Sequence, residues 1–185
     1  MQIKETGIDG LKLLFPNIYH DHRGWFMEVF KASELSKIDF HLPFVQENIS
    51  FSKKSVLRGL HFQQSPYGQA KLVMAITGKI QDVVVDLREN SKTFLKTFTC
   101  ILQGDQPSAL LIPEGFAHGF LALEDSHFYY KCTNHYHPTH EAGIMWNDKK
   151  LNIEWENTTP VLSEKDQHLL SIDEFLRKSV ISRKY

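Results

Sequence analysis

Turn signals recur at short intervals along this chain and cut it into short apolar runs. "PNIYHDHRG", "QSPYG", "TG", "REN", "QGDQP", "PEG" and "LEDS" are built from Gly, Pro, Asn, Asp and Ser, the residues that close turns. Between them, "TFLKTFTCIL" sets Phe94, Phe98, Cys100 and Leu102 on one side and Leu95, Thr97, Thr99 and Ile101 on the other. That β-branched and aromatic period of two is a strand pattern. "KLVMAIT" and "KIQDVVVDL", joined by Thr77-Gly78, and then "SALLIP", "GFLAL" and "HFYYKCT" repeat the style. Roughly eight to eleven strands in a sandwich or barrel are expected, an all-β fold.

Helical signals are peripheral. "ASELSK" carries Ser33 as a candidate cap, and after Ser163 "SEKD" reads as a capping box with Leu169, Ile172, Phe175 and Leu176 at helical spacing. A C-terminal helical tail is therefore expected from about residue 163. With 185 residues and no linker or repeat, residues 1–185 read as a single domain.

A formal net charge of -1 supplies no bulk attraction to nucleic acid or anionic membrane, so any anion binding must be local. The opening "MQIKETGIDG" is polar, and no apolar run approaches the roughly 20 residues of a membrane span. A soluble, cytoplasmic protein is expected, with Cys100 and Cys132 as buried free thiols in strand-like runs.

Ten histidines give the chain many groups that titrate near neutrality. In "SVLRGLHFQ", Arg58 and His61 are three apart, which in a regular strand points them to opposite faces. Gly59 between them permits a bulge that turns both toward one cavity. Downstream, "IPEGFAHGF" supplies His118 and "FYYKCTNHYHP" supplies Tyr129, Tyr130 and Tyr136. A histidine base and a tyrosine acid can move protons beside a carbonyl if a cation such as Lys71 or Arg58 holds the enolate charge. Taken singly, each residue keeps a structural alternative: a half-buried imidazole at His61, an interior aromatic at Tyr130, a snorkelling amine at Lys71.

Metal ligation is a competing use of the histidines, through His20 and His22 or through His135, His137, His140 and Glu141 in "HYHPTHE". That second stretch contains Pro138 and reads as a loop. The HxH-then-glutamate pattern of metal-binding cupins is missing after His61, where Phe62 and Gln63 follow and the next glutamate is Glu89. No metal or cofactor is expected.

Taken in order, "HDHRGWFMEVF", "QENISFSKKSVLRGLHFQ", "QAKLV", "DVVVDLRENSKTF", "IPEGFAHGF", "YK", "WND" and "LSEKD" resemble the dTDP-4-dehydrorhamnose 3,5-epimerase family over roughly residues 1 to 170. The resemblance implies a cupin-like double-stranded β-helix, or jelly roll. It implies epimerisation of dTDP-4-dehydro-6-deoxy-D-glucose at C3 and C5, in the dTDP-L-rhamnose route to bacterial cell-surface polysaccharide, without a cofactor. By the same resemblance His61 is the general base, Asp166 its acidic partner, Tyr130 the general acid and Lys71 the stabiliser of the C4 oxygen. Gln46, Glu47, Asn48, Arg58, His118, Tyr136, Glu141 and Lys165 match substrate-binding positions. The family's homodimer would bring Arg23 and Glu28 into the partner's site.

The sequence departs from the family pattern at His135, Ala142 and Leu95, none of them in the proposed catalytic set. Two other readings remain: a single-carbon epimerase from another deoxysugar pathway, and a non-catalytic or metal-dependent cupin that binds sugars.

Overall fold

The computed structural model describes residues 1–182, with side chains through residue 178. In chain order the strands are β1 (Gln2–Glu5), β2 (Lys12–Phe15), β3 (Ile18–Asp21), β4 (Gly24–Met27), β5 (Gln46–Ser52), β6 (Leu57–Gln63) and β7 (Lys71–Thr77). They continue as β8 (Lys79–Asp86), β9 (Thr97–Gln103), β10 (Ala109–Ile112), β11 (Phe116–Ala122), β12 (Ser126–Cys132) and β13 (Glu141–Gly143). One sheet of six strands runs β1-β2-β10-β7-β12-β5, a second of five runs β13-β6-β11-β8-β9, and β3 with β4 forms a separate hairpin. Every pairing among these strands is antiparallel.

The period of two sorts each strand between an inner and an outer face. Inside the sandwich meet Val73 and Ala75 of β7, Ile80 and Val84 of β8, Leu110 of β10, Phe116 and Phe120 of β11 and Phe128 of β12. Strand β8 is buried on both faces because its outer face is covered as well: Val83 and Val85 pack with Leu151, Trp155 and Ile172 of the C-terminal segment. On the far side, Leu72, Met74 and Leu111 lie under Leu35, Phe30, Phe40 and Phe44 of the segment between β4 and β5.

Three local expectations are corrected. The strand in "TFLKTFTCIL" begins at Thr97; Phe94 and Leu95 sit in the preceding turn, Leu95 with φ +61°. That turn is organised by the fully buried Asp86, which accepts hydrogen bonds from Arg88 Nη2 at 2.8 Å, Ser91 Oγ at 2.6 Å and Thr93 Oγ1 at 2.7 Å. Ser33 does not cap α1 (Ala32–Ser36): the extended residue at the boundary is Lys31, and it makes no side-chain cap. The last helix, α2, covers Ile172–Ser182 and does not start near 163. Ser163 instead closes a single 3-10 turn over Asp166–His168, with Asp166 N donating to its Oγ at 3.1 Å. The capping box lies eight residues on, where Glu174 N donates to Ser171 Oγ at 3.3 Å and Ser171 N donates to Glu174 Oε2 at 2.9 Å. Leu170 between them is extended and bridged to Ile144, which prevents one continuous helix.

Candidate active site

One end of the sandwich opens into a cavity of about 280 Å³ whose walls come from both sheets and from the segment after β13. Its chemistry starts at an irregularity in β6. Arg58 pairs with Phe120 and His61 with His118, so two residues of β6 oppose the single Gly119 of β11. This bulge resets the alternation, and Arg58 and His61, three apart, both line the cavity. The strands approach too closely there for side chains: a Cβ on Gly59, at φ +117°, would stand 2.5 Å from Gly119 Cα, and one on Gly119 would stand 2.5 Å from Arg58 O.

His61 Nε2 lies 2.5 Å from Oδ1 of Asp166, which is 105 residues downstream and 3% exposed. Two parallel bridges, Val56 to Val161 and Ile144 to Leu170, strap both ends of the Asp166 segment to the five-stranded sheet. Burial opposes ionisation of Asp166, but the His61 bond and charge, Ser163 and the Gly59 amide together hold its carboxyl below the ordinary value. His61 therefore has a charged partner that fixes its ring.

Beside it, His118 Nε2 lies 2.9 Å from Oδ2 of Asp82, at exposures of 7% and 0%. The other oxygen of Asp82 is buried without a hydrogen-bond partner. From the six-stranded sheet come Lys71 of β7 and Tyr130 of β12. Burial pushes the Lys71 amine below its ordinary value, partly offset by Cys132, Glu141 and Asp82. Burial, with Cys132 and Glu141, also pushes the Tyr130 phenol up against the opposing pull of Arg58, so Tyr130 stays protonated at neutral pH. Arg58 itself is aimed by Ser52 Oγ, 2.9 Å from its Nε, and by Phe51 O.

The outer part of the cavity is polar. Tyr136 Oη donates to Glu141 Oε2 at 2.6 Å, and Lys165 Nζ reaches the same oxygen at 2.5 Å. Gln46 accepts from Tyr136 N at 2.8 Å and donates to Asn48 Oδ1 at 3.1 Å, leaving Asn48 Nδ2 buried and unpartnered.

The family model of dTDP-4-dehydrorhamnose 3,5-epimerase matches residues 5–174. The chain is 44% identical over 185 residues to the dTDP-4-dehydrorhamnose 3,5-epimerase of Escherichia coli K12, covering 98% of this chain and all of that one. It superposes with a TM-score of 0.90 and 41% identity on the Bacillus anthracis enzyme of that name, solved with TDP and PPi bound, over 92% of this chain and 99% of that one. A third match is the dTDP-6-deoxy-D-glucose-3,5-epimerase of Legionella pneumophila, in complex with dTDP-4-keto-L-rhamnose. Its TM-score is 0.89 at 42% identity, over 93% of each chain. The chain belongs to the dTDP-4-dehydrorhamnose 3,5-epimerase family.

The fold of this epimerase family is the cupin-like jelly roll described above. Of the residues matched to family positions, His61, Asp166, Tyr130, Lys71, Arg58, His118, Gln46, Tyr136, Glu141 and Lys165 all line the one cavity. Asn48 lies behind them through its bond to Gln46. Glu47 does not line this cavity: strand parity turns it to the outer face of β5, where it meets Tyr129 Oη at 2.8 Å and Lys131 Nζ at 2.9 Å. Arg23 and Glu28 stand outside the cavity, Arg23 at 79% side-chain exposure and paired with Asp21, Glu28 beside Lys31.

Asp82, which joins the site through His118, is one residue of this epimerase-family chain that sequence reasoning passed over. Its signal was present, a charge in "IQDVVVDL" sharing parity with the inward Ile80 and Val84. Two histidines of "HYHPTHE" are used in packing, with His137 stacked on Tyr67 at 3.6 Å and His140 set edge-on to it at 4.4 Å, while His135 is exposed. Among the described residues no group of three or more His, Cys, Asp or Glu is arranged to hold a metal ion.

Proposed function

We propose that this chain epimerises dTDP-4-dehydro-6-deoxy-D-glucose at C3 and C5 with His61 as base and Tyr130 as acid. The observation that carries the assignment is that these two groups enter the cavity from opposite sheets, β6 and β12. A sugar lying between them offers one face to each. Its C4 ketone acidifies the hydrogens on both neighbouring carbons. His61 takes a proton from one face, the electron pair moves onto the C4 oxygen as an enolate, and Tyr130 returns a proton to the opposite face. Each inversion leaves an imidazolium and a phenolate, which re-equilibrate before the next.

Lys71, deep in the cavity, faces the enolate oxygen with its positive charge. Arg58 and His118 hold the sugar. Gln46, Asn48, Tyr136, Glu141 and Lys165 form the nucleotide end, where Lys165 exchanges Glu141 for a phosphate oxygen. Turnover in deuterated water should place deuterium at both C3 and C5. Label at one carbon alone selects a single-carbon epimerase, and none at either defeats the assignment.

The hairpin β3–β4 supports a homodimer that shares its sites. It exposes Tyr19, Trp25 and Phe26, and the edge strand β5 exposes Ile49 and Phe51. Arg23 and Glu28, free of their own cavity, then reach the partner's, in a cytoplasmic protein. The check is subunit mixing: Arg23→Ala and His61→Ala chains combined should regain activity that neither homodimer has, because one mixed site receives both native residues. Mixtures no more active than the separate variants would show that each chain builds its site alone.

A further inference from the structure

Gln63 follows the base by two residues and faces the same way, yet its side chain is committed to the neighbouring loop. It is 6% exposed. Its Nε2 donates to Tyr67 O at 2.7 Å and to His135 O at 3.1 Å, and its Oε1 accepts from His137 N at 2.5 Å. Both amide donors and the acceptor are therefore used, which admits one orientation of the carboxamide. The bonds to His135 O and His137 N bracket Tyr136 on either side. Two other contacts brace the same loop, Gln69 Nε2 to Asn134 O at 2.7 Å and Gln64 N to His140 O at 2.9 Å. Tyr136 itself stands 51% exposed, and its own N–H donates to Gln46 Oε1 at 2.8 Å, so the Gln63 bonds fix the peptide units on either side of it.

We infer that Gln63 is a positioning residue for the nucleotide end of the site: it ties the strand carrying the base to the loop carrying Tyr136 and so sets the distance between chemistry and nucleotide. The inference rests on the reading of Tyr136 as a nucleotide contact. Gln63 touches no reacting atom; it acts through the backbone of residues 135–137. A buried three-bond amide is suited to the role because replacing it leaves two carbonyls and an N–H unpaired at one point.

The test is Gln63→Met, which keeps the volume and removes all three bonds, and Gln63→Glu, which keeps the acceptor and turns a carboxylate toward two carbonyls. Titration with dTDP should show binding weakened about tenfold or more in both. Turnover of saturating dTDP-sugar should change far less, so that KM rises while kcat holds. For Gln63→Glu, affinity relative to wild type should recover as pH falls and the carboxyl gains a proton it can donate. Failure of the wild type to bind dTDP would overturn the nucleotide reading itself. Wild-type binding with equal binding by the variants, or a loss in kcat alone, would overturn the role of Gln63. If Gln63→Met does not fold, the pH recovery of Gln63→Glu decides.

Discussion

His61 and His118 stand directly opposite each other on β6 and β11, and each places Nε2 against a buried aspartate, Asp166 at 2.5 Å and Asp82 at 2.9 Å. The two pairs differ in depth. The His61 side chain is 25% exposed and that of His118 7%, so His61 is the more open of the two to a substrate proton.

Asp166→Asn therefore tests the base directly. It keeps the shape but removes the charge that stabilises imidazolium, and should lower kcat about 10²- to 10⁴-fold with dTDP affinity nearly unchanged. Asp82→Asn should cost less in kcat. Steady-state kinetics with a parallel dTDP titration separates the two, and equal losses would mean that the pairs share one role.

Tyr130→Phe should slow product formation more than proton abstraction if the phenol that burial keeps protonated is the donor, as proposed. Substrate recovered from deuterated water should then show exchange outrunning epimerisation. A variant in which the two fall together would remove Tyr130 from the acid role.

Lys71 predicts opposite effects on stability and rate. Its folded-state value is depressed below the unfolded one, so the folded state binds its proton less well. That cost is fully present below the depressed value and fades as pH rises through it toward the ordinary lysine range. Lys71→Met should accordingly raise the melting temperature at pH 7 while lowering kcat. In the wild type, kcat should fall on the alkaline side below the usual lysine range as the ammonium is lost.

Asp86 governs acid stability. Burial opposes its ionisation, yet hydrogen bonds from Arg88, Ser91 and Thr93 hold its carboxyl well below the ordinary range. Its contribution is present above the unfolded carboxylate value and disappears as pH falls toward the depressed one. Denaturant melts of Asp86→Asn should show reduced stability at pH 7, and a gap to wild type that narrows toward pH 3. A constant gap would assign the loss to packing.

Much of this was legible in the chain. Gly59 between Arg58 and His61 announced a bulge, because no regular strand turns residues three apart to one face, and the alternation in "KLVMAIT" or "HFYYKCT" fixed each strand's two faces. Glu47 was matched by the resemblance alone, and alternation sets it opposite Gln46 and Asn48, on the outer face of β5. The His61–Asp166 contact has no local signal at all. It spans 105 residues and depends on where Val161 and Leu170 bridge the sheet, a tertiary fact that only the family resemblance could anticipate. The misplaced capping box has the same origin: "SEKD" is adequate for a helix start, but pairing at Leu170 overrides it.

The Gly59 and Gly119 contact carries its own forecast. Alanine at either position forces the strands apart at 2.5 Å contacts, and at Gly59 also imposes a side chain at φ +117°. A loss of about 2–4 kcal/mol is expected by chemical denaturation, with activity falling alongside. Wild-type stability in Gly119→Ala would show that the bulge yields without cost.

Ribosomal synthesis meets these parts in a telling order. Every residue lining the cavity precedes Gly143 except Ser163, Lys165 and Asp166, which ride on the strapped segment. A nascent chain that has reached Gly143 holds all the other lining residues, while the proposed base still lacks the carboxylate that would charge it. On the proposed roles, reactivity waits for the strap to dock.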